Sequence, residues 1–183
     1  MRWHLLLILS LLFLLPASGQ DLPKKIRGYT VHREPVVVTS GTVSGEAGDA
    51  AVRVGDPVLT DVSLSGVSFE LPGEVTSIAQ SGKVDFLTFH DFQVNGVPVE
   101  IEEYVFPFSF RKNEVVTLPR PAKLFLPTAG ILKAAWKEMH ETTDEWTVTG
   151  RVFVFGKFRK YGFHHKRVVP IDVSLRIKNP LIR

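Results

Sequence analysis

From Trp146 to Phe158, and again from Val169 to Ile177, apolar side chains return at every second position. Trp146, Val148, Val152, Val154 and Phe158 share one parity, with Thr147, Thr149, Arg151 and Lys157 on the other. Val169, Ile171, Val173, Leu175 and Ile177 alternate in the same way with Asp172, Ser174, Arg176 and Lys178. A period of two puts one set of side chains on one face of a strand, so both runs predict long antiparallel strands with one wet face.

Earlier segments carry the same signal in shorter pieces. Val62 and Leu64 are out of phase with Val67, Phe69 and Leu71, which predicts a bulge near Ser65 and Gly66. From Val84 to Val94, Phe86, Phe92 and Val94 hold one parity while Leu87 and Phe89 hold the other, the pattern of a central strand covered on both faces. Asn95-Gly96 then marks a tight hairpin turn. Pro107 interrupts the alternation of Phe106, Phe108 and Phe110 and predicts an edge position or a kink. One stretch has helical spacing instead: Ile131, Leu132, Ala135, Trp136 and Met139 follow Pro127 and a cap at Thr128, predicting an amphipathic helix of about three turns. Several short strands, turn signals between them and a single helix define an all-β fold, an immunoglobulin-like antiparallel β-sandwich. Thirteen Phe residues and abundant Val agree with it.

The two ends of the chain differ. Arg2 and His4 precede an apolar run from Leu5 to Leu15, followed by Pro16 and the small residues Ala17, Ser18 and Gly19. Eleven helical residues rise only about 16 Å, short of a bilayer core of roughly 30 Å, so residues 1–19 read as a secretory signal cut between Gly19 and Gln20 rather than as an anchor. An uncleaved anchor lengthened by Trp3 is the competing reading. Residues 20–49 form a basic arm, a first strand at Val36-Val37-Val38 and a Gly-rich flexible loop; residues 50–183 form the sandwich domain. The product is therefore expected outside the cytoplasm, in the periplasm or beyond, with no integral span once the signal is removed.

Charge and chemistry narrow the function by exclusion. Removing residues 1–19 takes away Arg2 alone, leaving 21 Lys plus Arg against 19 Asp plus Glu, too even a balance to call for nucleic acid. The absence of Cys removes disulfides and thiolate chemistry. His164-His165, His90-Asp91 and His140-Glu141 are adjacent pairs, which point to opposite strand faces and serve one metal ion badly. No nucleophile elbow or phosphate-cradling loop occurs. Glu100 and Glu102 share a strand face but read as solvated residues opposite Val99 and Ile101. No catalytic, cofactor-binding or metal-binding residue is assigned, and the chain is read as a non-enzyme; a hydrolase whose site only the fold assembles is the remaining catalytic alternative.

One local excess of charge remains. Lys157, Arg159, Lys160, Tyr161, His164, His165, Lys166 and Arg167, interleaved with Phe158 and Phe163, form a candidate partner surface around a hairpin turn at Tyr161-Gly162. Basic residues among aromatics suit an anionic partner, and the plainer reading is a charged rim that keeps a strand edge soluble. The expected partner is another envelope or extracellular protein.

The order of elements resembles the late embryogenesis abundant type 2 proteins, whose module is also called the water stress and hypersensitive response domain. The resemblance runs through Val62-Ser63-Leu64, Val67-Ser68-Phe69, Phe92 to Val99, Val105 to Phe110, Val115 to Leu118, the helix at Ile131 to Met139 and the strand Trp146 to Phe158. It implies a seven-stranded sandwich with one helix, no catalytic residues, and protection during water stress. The alternative function is a binding module using a strand edge or the basic aromatic loop 157–167.

Overall fold

The computed structural model describes residues 22–33, 36–40, 50–77, 80–130, 145–160 and 162–178. The signal segment with its cut at Gly19-Gln20, the Gly-rich loop and the helix expected at Ile131 to Met139 lie outside the described residues. Among those residues the chain is an all-β sandwich. Its spine is the hairpin of β14 (Glu145–Lys160) and β15 (Phe163–Lys178), paired without a break from Glu145↔Lys178 to Lys160↔Phe163. β8 (Ser81–Val94) pairs antiparallel with the other side of β14, and β11 (Phe108–Phe110) closes that edge, as Pro107 predicted. β9 (Val97–Pro98) returns against β8 after the Asn95-Gly96 turn, where both residues take the positive φ that such a turn needs, 50° and 76°. On the far side, β2 (Tyr29–Val31) runs parallel to β15 and is itself paired with β1 (Lys25–Ile26), completing seven strands.

The second layer is made of two four-stranded sheets. One has β12 (Glu114–Thr117), β7 (Gly73–Ser77), β4 (Ala50–Val54) and β3 (Val36–Ser40); the other has β10 (Glu100–Ile101), β13 (Ala122–Pro127), β6 (Gly66–Leu71) and β5 (Val58–Val62). Three chain segments pass from one to the other, broken at Gly55 to Pro57, at Pro72 and at Leu118 to Pro121. Pro cannot donate to a ladder and breaks it there. The basic arm thus supplies strands to both layers, β1 and β2 to the first and β3 to the second.

Between the layers, Val84, Leu87, Phe108, Phe110, Phe158, Val169 and Ile171 pack with Ala122, Leu71 and Val75. Next to them, Phe92, Val173 and Leu175 meet Val99, Leu124 and Leu126. Val152 and Val154 face this core with Ile171 and Val173, as the alternation predicted.

Three expectations from the pattern change. The phase reversal after Leu64 is a hairpin, not a bulged strand: Ser63 and Gly66 exchange backbone hydrogen bonds of 2.9 and 3.3 Å, and the chain turns back through Leu64 and Ser65. In β8, parity is misleading because the ladder to β14 slips twice, once where Phe86 and Val84 face successive residues Phe155 and Gly156, and once between Thr149 and Arg151. Asp91, at φ 54°, absorbs the second slip, so Leu87, Phe89, Phe92 and Val94 all reach the core, while Phe86 alone turns to the opposite face. That opposite face is not uniformly wet. Phe153, Phe155 and Val168 are buried on it beneath Leu22, Ile26, Tyr29 and Val31 of the arm.

Candidate interaction surface

The residues of segment 157–167 occupy the far end of the β14–β15 hairpin, where pairing sorts them by face. Phe158 belongs to the inter-layer core, so its neighbours Lys157 and Arg159 point to the outer face of the seven-stranded sheet. Their cross-strand partners are Lys166 and His164, and all four are exposed. His165 pairs with Phe158 and Arg167 with Gly156, on the other face, so the two adjacent His do not converge. Lys160 pairs with Phe163 across the two-residue turn that ends in Gly162 at φ 84°; the Lys160 side chain and Tyr161 lie outside the described residues. The eight candidates therefore do not form one cluster.

A residue remote in sequence joins the outer group. Lys83 on β8 is the register partner of Lys157, which in turn faces Lys166, so three exposed lysines stand in line across three adjacent strands. A parallel row holds Ser81, Arg159 and His164. Like charges directly opposite each other destabilise a sheet, their Cβ atoms being roughly 5 Å apart. Other exposed cross-strand pairs are balanced: Arg151 Nε lies 2.6 Å from Asp172 and Arg53 3.2 Å from Glu74. Sequence reading missed Lys83 because only the β8–β14 register, with its slips, brings it there.

Beside this row the arm is locked by aromatic and ionic contacts. The Phe86 and Phe155 rings stack at 4.4 Å, and Tyr29 meets both edge-on. The Arg27 guanidinium lies 5.5 Å from the Phe86 centroid and reaches both carboxylate oxygens of Glu103 at 2.9 and 3.0 Å. The Tyr29 hydroxyl donates to Asp85 at 3.0 Å. Burial, then the hydrogen bond and the charge of Asp85, raise the Tyr29 pKa above 10.0. A phenol raised in the folded state contributes stability that is complete below pH 10.0 and is lost as pH climbs through the folded value. Tyr29→Phe is therefore expected to flatten the fall of the thermal midpoint above pH 10.0, read by calorimetry against pH; an unchanged slope would count against the coupling.

The acidic segment behaves as a solvated edge. Glu100 and Glu102 are exposed while Val99 is buried and Ile101 packs inward, and Glu103 is engaged by Arg27. His90 lies 3.2 Å from Thr88 and edge-on to Phe153. Among the described residues no group of three or more His, Asp or Glu converges on a point that could hold a metal ion, and no helix is long and apolar enough to cross a membrane.

A second exposed surface lies on the other layer. Among the described residues β5 has a single neighbour, β6, and all five of its residues are exposed. Val58, Leu59 and Val62 are 56%, 55% and 67% exposed, and Leu64 at the hairpin tip is 100% exposed. Large apolar side chains along an unpaired strand edge are a template for pairing with another chain.

No family model matches the chain, and no curated protein matches it significantly. Two solved structures are similar to the chain at low identity and low TM-score. A crystal structure of a protein from Archaeoglobus fulgidus is 13% identical with a TM-score of 0.38, covering 72% of this chain and 97% of its own. A solution structure of a protein provisionally assigned to the late embryogenesis abundant proteins is 12% identical with a TM-score of 0.29, covering 73% of this chain and 72% of its own.

Proposed function

We propose that this chain is an exported, non-enzymatic β-sandwich that stabilises other macromolecules, or the cell envelope, when water is lost. The observation that carries the reading is the open edge of β5. Among the described residues its backbone pairs with β6 alone, and Leu59, Val62 and Leu64 add exposed apolar surface, the combination an extended segment of a partly unfolded protein can join by strand addition. Loss of water opens labile proteins and exposes such segments. Capping them suppresses their mutual aggregation without any chemistry. The resemblance of the segment from Val62 to Phe158 to the type 2 late embryogenesis abundant module supports the same role, and residues 1–19 support export.

The full chain is expected to preserve the activity of a labile enzyme through drying and rehydration better than an inert protein of equal mass. Leu59→Lys with Val62→Lys changes only exposed positions, so stability should move by about 0.5 kcal/mol or less while protection falls to the inert baseline. Protection equal to the inert control in the unaltered chain overturns the proposal. A second reading, a module that binds one envelope or extracellular protein, is favoured by the charged hairpin end at Lys157 to Arg167. It predicts a stoichiometric complex lost on reversing charge at Lys160 and Arg167.

A further inference from the structure

We infer that the outer face of the seven-stranded sheet, at Lys83, Lys157 and Lys166, docks on the phosphate headgroups of an anionic bilayer. This rests on the proposal above only for its placement of the chain outside the cytoplasm.

The register sets three exposed ammonium groups side by side on β8, β14 and β15, with Arg159 and His164 in the next row. None of the three lysines has an ion pair among the described residues. The acid nearest in the chain, Asp85, accepts the Tyr29 hydroxyl. Lys166 lies 5.5 Å from the Tyr29 ring centroid, a stabilising contact made by the row. Edge protection does not account for Lys157, which is flanked by Lys83 of β8 and Lys166 of β15 and so lies inside the sheet. Farther along the same hairpin Arg151 faces Asp172, so this end of the ladder differs from the rest in lacking opposite charge.

A planar array of cations complements a planar array of phosphates. A single-stranded nucleic acid needs aromatic faces to stack on, and on this face Phe153 and Phe155 are buried under the arm. The chain also enters the domain on this side: Leu22 packs on the Phe153, Phe155 and Val168 cluster of the same face. Six residues separate Leu22 from Leu15, the end of the apolar run, and the seven Cα–Cα steps reach at most about 25 Å. Before the signal is cut, while that run is still engaged by a membrane, the basic face is held within reach of its headgroups.

The test is acetylation footprinting of the full chain on phosphatidylcholine vesicles with and without phosphatidylglycerol. Lys83, Lys157 and Lys166 should be modified about fivefold more slowly on the anionic vesicles, and Lys123, exposed on the other layer, equally on both. Because the comparison is between lipid compositions, hydrophobic anchoring by residues 5–15 does not mask it. Replacing all three lysines with Gln should weaken the preference for anionic vesicles on the order of a hundredfold in co-sedimentation. Equal modification on both vesicle types, equal slowing at Lys123, or protection by heparin or single-stranded DNA where anionic vesicles give none would overturn the inference. The triple variant should still protect a dried enzyme, so failure here and failure of the stress role are told apart.

Discussion

Gly156→Ala is expected to lower the thermal midpoint by roughly 6–12 °C, the shift that a loss of about 3 kcal/mol produces in a domain of this size. A Cβ at Gly156 would lie 2.5 Å from the Lys83 carbonyl oxygen and 3.2 Å from Val84 Cα. Both are backbone atoms of the neighbouring strand, so no side-chain rotation relieves the clash. The approach is close because β8 slips by one residue against β14 at this point, where Phe155 faces Phe86 and Gly156 faces Val84. Forcing the strands apart would disturb the packing of Val84, one of the most deeply buried side chains. Gly162→Ala is the control: nothing lies within 4 Å of its added Cβ, and the cost is that of a positive φ, about 1 kcal/mol. Calorimetry on the two variants should separate them; a Gly156→Ala midpoint within a degree or two of the control would refute the assigned register. The same register brings Lys83 opposite Lys157, so this measurement also tests the geometry of the lysine row.

Phe155→Ala is expected to cost about 3–5 kcal/mol, the range for removing a fully buried ring from a close-packed site. Phe155 is 1% exposed, stacks on Phe86 at an interplanar angle of 14° and receives the edge of Tyr29 at 5.3 Å. The loss should be local in character as well as large. Leu22, Ile26, Tyr29 and Val31 cover this ring, and the pairing of β2 with β15 is only two residues long, Thr30 with Arg167 and Val31 with Val168. Without the ring the arm keeps only exposed or part-buried polar contacts, Arg27 with Glu103 and Tyr29 with Asp85, beside a depleted apolar cluster, and trypsin should cut after Arg27 well before the sandwich unfolds. Phe108→Ala removes a ring of the same size from the inter-layer core, so it should destabilise comparably without exposing Arg27 to early cleavage. Equal resistance of Arg27 in both variants would show that the arm is held by something other than this cluster.

These two sites also show where the sequence stops being informative. Period-two alternation in β14 and β15 identified the spine of the sandwich and the faces of Val152, Val154, Ile171 and Val173, because a strand with one face on a core must alternate. Asn95-Gly96 and Gly162 announced their turns through residues that tolerate positive φ. Pro107 foretold an edge, since proline lacks a ladder donor. Each of these signals is local: the residues that carry the rule are the residues that obey it.

What the tertiary structure alone decided is the matching of distant segments. In β8, the slip at Asp91 places Leu87 and Phe92, five positions apart, on the same face, and no feature of residues 84–94 fixes where a partner about 60 residues away will slip. Phe153 and Phe155 break the wet-face reading of β14 because the arm returns to cover them, a pairing set by the fit of Leu22, Ile26 and Tyr29 onto that patch. Likewise Lys83 joins Lys157 and Lys166 only through the ladder. Composition and alternation determined that the chain would form layered strands with a basic hairpin; strand register, fixed by close backbone approach at Gly156 and by the packing of the core, determined which charges stand together.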